Sequence, residues 1–211
     1  GRFSDGDFVR LLKLASVFAF RYSVVSGLNP NPLERVCHFA AKAVLDGTAK
    51  RPGAVFAQLR PIYVDDEQFQ SNFARWTVST RGRRARVARY VLARLETDAG
   101  ARAVDPETDP ATVEHVLPEN PAGEWAEMFP PDRWEAAVGR VGNLTLLERT
   151  LNRNVGNTGY PAKRAAYESS EYALTRDIAE VAPEEWTPAL LDERQRRLAE
   201  RAVGLWRADF E

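Results

Sequence analysis

Ala111-Thr112-Val113-Glu114-His115-Val116-Leu117 is a short β-leaning run that stops at Pro118. Val141-Gly142-Asn143-Leu144-Thr145-Leu146-Leu147 is a second run of the same kind, and Glu148 to Val155 reads as a short helix. Between the two strands lie a loop, Pro121 to Pro131, with a polar-aromatic Glu124-Trp125 segment, and a short helix over Arg133 to Val138. The reading of the chain turns on this order of strand, loop, strand and helix. His115 ends the first strand, directly after a carboxylate and three residues before a proline. Asn143 sits in a Gly-Asn turn 28 residues later, and Asn152 follows 9 residues after that on the predicted helix.

These residue types suit one kind of chemistry. A histidine accepts a proton from water near neutral pH. Carboxylate and amide oxygens are hard ligands suited to Mg²⁺ or Mn²⁺. A single such ion, with substrate phosphate and waters filling its shell, stabilises the charge that develops in phosphodiester hydrolysis. Plainer readings stand beside this one. A lone histidine is more often structural or exposed than catalytic, Asn in Gly-Asn is usually turn chemistry, and Asn152 and Asn154 also suit a helix end. Spacing alone leaves both readings open.

Outward from this segment, the first half of the chain is helical. Phe8, Leu11, Leu12, Ala15, Phe18 and Tyr22 recur as on one buried helix face, with Asp7 as N-cap and Gly27 as stop. After the connector Asn29-Pro30-Asn31-Pro32, a second helix runs through Leu33, Val36, Cys37, Ala40 and Val44 to about Gly47; its Cys37 and His38 read as core or half-buried. Asp65 or Asp66 caps a short helix with Phe69, Phe73 and Trp76 on one side, and Arg81 to Glu96 is helical again. Gly100, Pro106, Pro110 and several acids break the pattern over 99–110. The expected division is therefore 1–100, a helical, basic subdomain for DNA binding or linkage, and 101–211, which carries the strand–loop–strand–helix segment. Pro161 opens a helix to about Ser170, and Pro183 to Asp209 reads as a long amphipathic helix burying Trp186, Leu190, Leu191, Leu198, Val203 and Trp206.

Composition narrows the class. The 211 residues are 44% hydrophobic and 28% charged, an ordinary globular balance. With a single cysteine, no disulfide forms within the chain and a Cys-rich structural zinc site is excluded. A reducing, cytoplasmic compartment follows as the expectation. No apolar run is long enough for a membrane span, and Arg10, Lys13 and Arg21 interrupt the only stretch resembling a signal peptide. The chain opens on Gly1, which leaves a fragment or a processed start open. The net charge of −1 conceals an asymmetry: residues 1–100 carry 16 Lys/Arg against 9 Asp/Glu, and residues 101–211 carry 13 against 21. Arg81, Arg83, Arg84, Arg86, Arg89 and Arg94 fall within 14 residues, a basic stretch able to neutralise several phosphates or simply to be solvated.

A family resemblance adds to this reading. Its residues are Glu114-His115-Val116-Leu117-Pro118, then Val141-Gly142-Asn143-Leu144-Thr145-Leu146-Leu147, then Asn152-Arg153-Asn154-Val155-Gly156-Asn157, Tyr160-Pro161-Ala162-Lys163-Arg164 and Tyr167-Glu168-Ser169-Ser170. Over about residues 111–170 this resembles the C-terminal HNH nuclease domain of GmrSD-type modification-dependent restriction enzymes. Phosphorothioate-sensing defence nucleases of the SspE type are built similarly, and the chain would correspond to the C-terminal part of such a protein. The resemblance implies a mainly α fold with a small ββα-metal (HNH, or His-Me finger) motif. It also implies a metal-dependent DNA endonuclease that nicks or cleaves foreign DNA in restriction and antiviral defence, leaving a 5′-phosphate.

Carried over by position, His115 matches the general base, and Asn143 the middle Asn that stabilises the inter-strand loop and helps hold the histidine. Asn152 matches the metal ligand on the helix, with Asn157 as its substitute, and Glu114 is a second ligand. Adjacent strand residues point to opposite faces, so Glu114 and His115 serve one site only at a strand end or bulge. Lys163 and Arg153 are candidate phosphate contacts, as are Arg83, Arg84 and Arg86; an exposed, solvated charge is the alternative for each. The expected cofactor is one Mg²⁺ or Mn²⁺ ion, without structural zinc. The resemblance implies DNA as a partner and an N-terminal NTPase or sensor domain outside this chain, to which the family's nucleotide use is attributed; no Gly-x4-Gly-Lys-Ser/Thr phosphate loop occurs here. Two other functions remain open: a non-catalytic DNA-binding or regulatory helical module, and an HNH-like RNase.

Overall fold

A computed structural model describes residues 3–100, 103–121 and 123–208. It is mainly helical, and the described residues contain one small antiparallel sheet of two strands. The chain forms two compact units, one of residues 1–73 with 206–211 and the other of residues 74–205. No helix among the described residues is long and apolar enough to cross a membrane.

The first unit contains α1 (Asp5–Ala19), α2 (Pro30–Leu45), α3 (Pro52–Leu59) and α4 (Asp66–Phe73). Ser4, not Asp7, caps α1: its hydroxyl accepts from the Asp7 amide and donates to the Asp7 carboxylate. The predicted core face is also corrected. Phe8 and Leu12 are exposed, and Leu14, Val17 and Phe18 are buried. The helix widens into a π-helical turn over Phe20–Val25. That wider turn breaks the 3.6-residue period and turns Phe20, Arg21 and Tyr22 inward together. Arg21 is fully buried, pairs with Asp66 at 2.8 Å and stacks on Phe69. Asp65 accepts from the Gln68 amide, as expected of a cap on α4. Cys37 and His38 are exposed rather than core, because Ala40 is the only fully buried residue of α2.

The second unit comprises α5 (Ala85–Ala99), β1 (Thr112–His115), α6 (Glu124–Met128), α7 (Pro131–Val138), β2 (Leu144–Leu147), α8 (Arg149–Val155), α9 (Tyr160–Glu168), α10 (Ala173–Val181) and α11 (Pro188–Leu205). The strands pair in the register Thr112 with Leu147 and His115 with Leu144, and α8 follows directly, completing a ββα unit. Val116, Leu117, Trp125, Leu147, Tyr167, Ile178 and Trp186 share one core cluster, with Trp134 packed against it.

The 99–110 break does not separate the units. Arg89 of α5 donates to the carbonyls of Pro106, Asp109 and Ala111 and so ties that loop to its own helix. The arginine stretch thus folds with the strands. At the C-terminal end α11 runs from Pro188, after the buried Trp186, only to Leu205, shorter at both ends than the expected span of 183–209, and its inner face includes Arg194 and Gln195; Asp209 itself lies outside the described residues.

Arg194 and Gln195 explain why the turn before β2 needs glycine. Arg194 Nη1 donates to Gly142 O at 2.7 Å and Leu144 O at 2.9 Å, and Gln195 Oε1 accepts from Gly142 N at 2.5 Å. A Cβ on Gly142 would lie 2.9 Å from both Gln195 N and Leu191 O, which are helix backbone and cannot swing away. Gly142→Ala is therefore expected to destabilise the chain by about 1–3 kcal/mol through overpacking, measurable by urea denaturation.

Candidate active site

His115 closes β1 with its ring 15% exposed. Its Nε2 lies 3.3 Å from Thr80 Oγ1 and 3.9 Å from Glu119 Oε1. Thr80 also donates to Glu119 Oε1 at 3.4 Å, and Arg81 Nη2 donates to Glu119 Oε2 at 2.8 Å. Burial is the main influence on the ring and lowers its pKa below 6.5; Glu119 opposes this, while Lys163 and Arg81 reinforce it. The balance favours a neutral imidazole, the form that accepts a proton. Neither Thr80 nor Glu119 was legible as a site residue. Glu119 stands four residues after the histidine, beyond a proline, and nothing local marks Thr80.

Asn143 is fully buried and acts as a clamp. Its side-chain oxygen accepts from Leu117 N at 2.8 Å, and its side-chain nitrogen donates to Leu117 O at 3.0 Å and to Val138 O at 3.2 Å. Its backbone carbonyl accepts from Val116 N at 3.0 Å. The amide therefore fixes the segment that immediately follows His115, and it is sealed from solvent.

Asn152, on α8, donates through Nδ2 to Val113 O at 3.3 Å, so the helix presents this amide to the strand that carries His115. Its Oδ1 accepts no hydrogen bond among the described residues. Asn157 and Arg153 are exposed around the end of α8.

Glu114 and Lys163 need correction. Strand alternation carries Glu114 to the face opposite His115. There it is 5% exposed, and its Oε1 accepts from Lys163 Nζ at 2.6 Å and Tyr167 Oη at 2.8 Å. Lys163, 1% exposed, also donates to His115 O at 2.6 Å. Burial depresses the lysine pKa while Glu114 opposes it, and burial, then Glu114, push the Tyr167 hydroxyl well up. Glu114 is thus consumed by an internal ion pair instead of facing a metal, and Lys163 is sealed away from any phosphate.

Arg81, Arg83, Arg84 and Arg86 are exposed along the turn that leads into α5, directly after Thr80. Arg89 is spent on the carbonyls already described. Among the described residues no group of three or more His, Cys, Asp or Glu side chains is placed to hold a metal ion.

Two comparisons bear on this constellation. No curated protein matches the chain significantly. The family model of the C-terminal domain of GmrSD restriction endonucleases matches residues 63–201, about two thirds of the chain. That span includes both strands, α8, His115 and the residues around it. With its ββα unit and an Asn-clamped histidine at the strand end, the chain belongs to the family of GmrSD restriction endonuclease C-terminal domains.

Proposed function

We propose that this domain is a metal-dependent DNA endonuclease of the HNH type, the cutting effector of a restriction or anti-phage defence protein whose sensing domain lies outside this chain. The observation that carries the reading is His115: a largely buried ring at the end of a clamped strand, beside an exposed arginine turn. His115 takes a proton from the attacking water. Asn143 keeps the strand end rigid, and Asn152 offers its side-chain oxygen to one Mg²⁺ or Mn²⁺. When bound, the ion would supply Lewis-acid stabilisation of charge on the phosphate. With Glu114 engaged elsewhere, the chain offers few ligands of its own, a donor set suited to an ion that keeps several waters and takes substrate phosphate as a ligand.

Plasmid relaxation by the purified chain tests the reading. Nicked or linear product is expected with Mg²⁺ or Mn²⁺ and none with EDTA, and structured RNA as substrate separates a DNase from an RNase. Cleavage that survives EDTA would sink the metal requirement. Asn152→Ala is expected to raise the Mg²⁺ concentration needed for half-maximal cleavage about 10-fold or more while leaving the melting temperature nearly unchanged.

Arg83 and Arg84 are proposed to hold the DNA backbone. Substituting both to Ala should weaken binding equally across sequences. The slope of log affinity against log salt should become shallower by about one for each phosphate the chain no longer neutralises, read by fluorescence anisotropy across a salt series. A DNA-binding module without catalysis would show this salt effect but no metal-dependent product.

A further inference from the structure

The hydrogen bonds around His115 form a chain, and only one polarity satisfies all of them together. Glu119 is held ionised: its hydrogen bond from Arg81 is the largest influence on its carboxyl and keeps its pKa below the ordinary value. An ionised carboxylate only accepts. Thr80 Oγ1, 3.4 Å from Glu119 Oε1, must therefore donate its single proton there. The hydroxyl then has only lone pairs left for His115 Nε2, 3.3 Å away, so that nitrogen must be the donor. A neutral imidazole with its proton on Nε2 has a bare Nδ1. Nδ1 makes no hydrogen bond among the described residues, and the ring keeps 15% of its side-chain surface exposed.

We propose that Thr80 and Glu119 are positioning residues that hold His115 in the Nε2–H tautomer and so make Nδ1 the nitrogen that accepts the proton. The inference rests on the reading of His115 as the general base. Thr80 lies outside the strand–loop–strand–helix segment, and Glu119 lies in the stretch that follows its first strand. Thr80 belongs to the turn that continues into the exposed Arg83 and Arg84, so the same turn proposed to hold the DNA backbone also sets the base. Arg81 pins the outer end of the chain by fixing Glu119. When the ring becomes positive, its Nε2–H already points through Thr80 toward a carboxylate.

The tautomer is directly measurable. The chain has only two histidines, and His38 is exposed in the other compact unit. Nitrogen-15 imidazole spectra of the whole chain, assigned with a His38→Gln variant and recorded where the ring is neutral, should show His115 protonated at Nε2 and bare at Nδ1. Thr80→Val removes the relay hydroxyl. Glu119→Gln places an amide that donates where the carboxylate accepted. Each is expected to shift His115 toward the other tautomer, and Thr80→Ser is expected to restore the wild-type pattern. In plasmid cleavage, Thr80→Val and Glu119→Gln should lower kcat about 10- to 100-fold with KM nearly unchanged, and Thr80→Ser should recover most of it.

A wild-type ring protonated at Nδ1, or a tautomer unmoved by both variants, overturns the proposal. The spectra do not depend on cleavage, so the two readings fail separately. If His115→Ala cleaves normally while the ring keeps its Thr80-dependent tautomer, the general-base reading falls and the positioning stands.

Discussion

His115→Ala is expected to lower metal-dependent DNA cleavage about 10²- to 10⁴-fold, the range over which a positioned general base contributes, with DNA affinity retained. The ring is largely buried, with 15% of its side chain exposed, so the variant should melt somewhat below the parent, and circular dichroism at the assay temperature checks that it stays folded. Unchanged cleavage in this variant would sink the assignment. The pH dependence adds an independent check. The base works deprotonated, and burial lowers its pKa below 6.5. The rate should therefore stay level through neutral pH and fall only as pH drops through a value below that of free imidazole. An acidic limb above 6.5 would indicate a different group or a ring that is not desolvated.

Lys163→Met is expected to have the largest effect on stability. It leaves Glu114, 5% exposed, with a buried negative charge and only the Tyr167 hydroxyl for company. Removing one partner of a buried pair costs about 3–5 kcal/mol, which for a chain of this size lowers the melting temperature by about 6–20 °C. Adding Glu114→Leu should recover part of the loss, because the double variant no longer strands a charge. The coupling is read from a double-mutant cycle by urea denaturation. DNA affinity of the folded variant should not change, since the ammonium is sealed from solvent. A stable Lys163→Met chain with weakened DNA binding would restore the phosphate-contact reading and contradict the buried pair.

Structure and sequence differ in an instructive way at α10. The segment Ala173–Val181 has no capping side chain of its own, because Tyr172 stands at the N-cap. Glu96 of α5 supplies the cap from 77 residues away, accepting from Ala173 N at 2.5 Å and Leu174 N at 2.9 Å. Nothing local announces that helix. α9 also takes a distant cap, with Glu124 accepting from Tyr160 N at 3.0 Å, but Pro161 near its start made it legible. The same contrast holds within the candidate site. Asn143 was readable through the family resemblance, which places an Asn at this turn, although its clamp partner Leu117 lies 26 residues earlier. Glu114 was not, because its partner Lys163 is 49 residues on and nothing in the strand pattern says which face an ion pair will claim.

The sequence by itself indicated the mainly helical class and the two short strands with α8 behind them, and the family resemblance then gave His115, Asn143 and Asn152 their expected roles. The elements rest on local residue patterns, and the roles rest on linked motifs in a fixed order. The tertiary structure alone decided the rest. It joined the arginine stretch to the strands through Arg89. It buried Lys163 and Glu114 as a pair and brought Thr80 and Glu119 to the imidazole across 35 and 4 residues. The physical reason is that a side chain's protonation state and usefulness depend on what surrounds it. Around His115 those surroundings come from segments that no local pattern links.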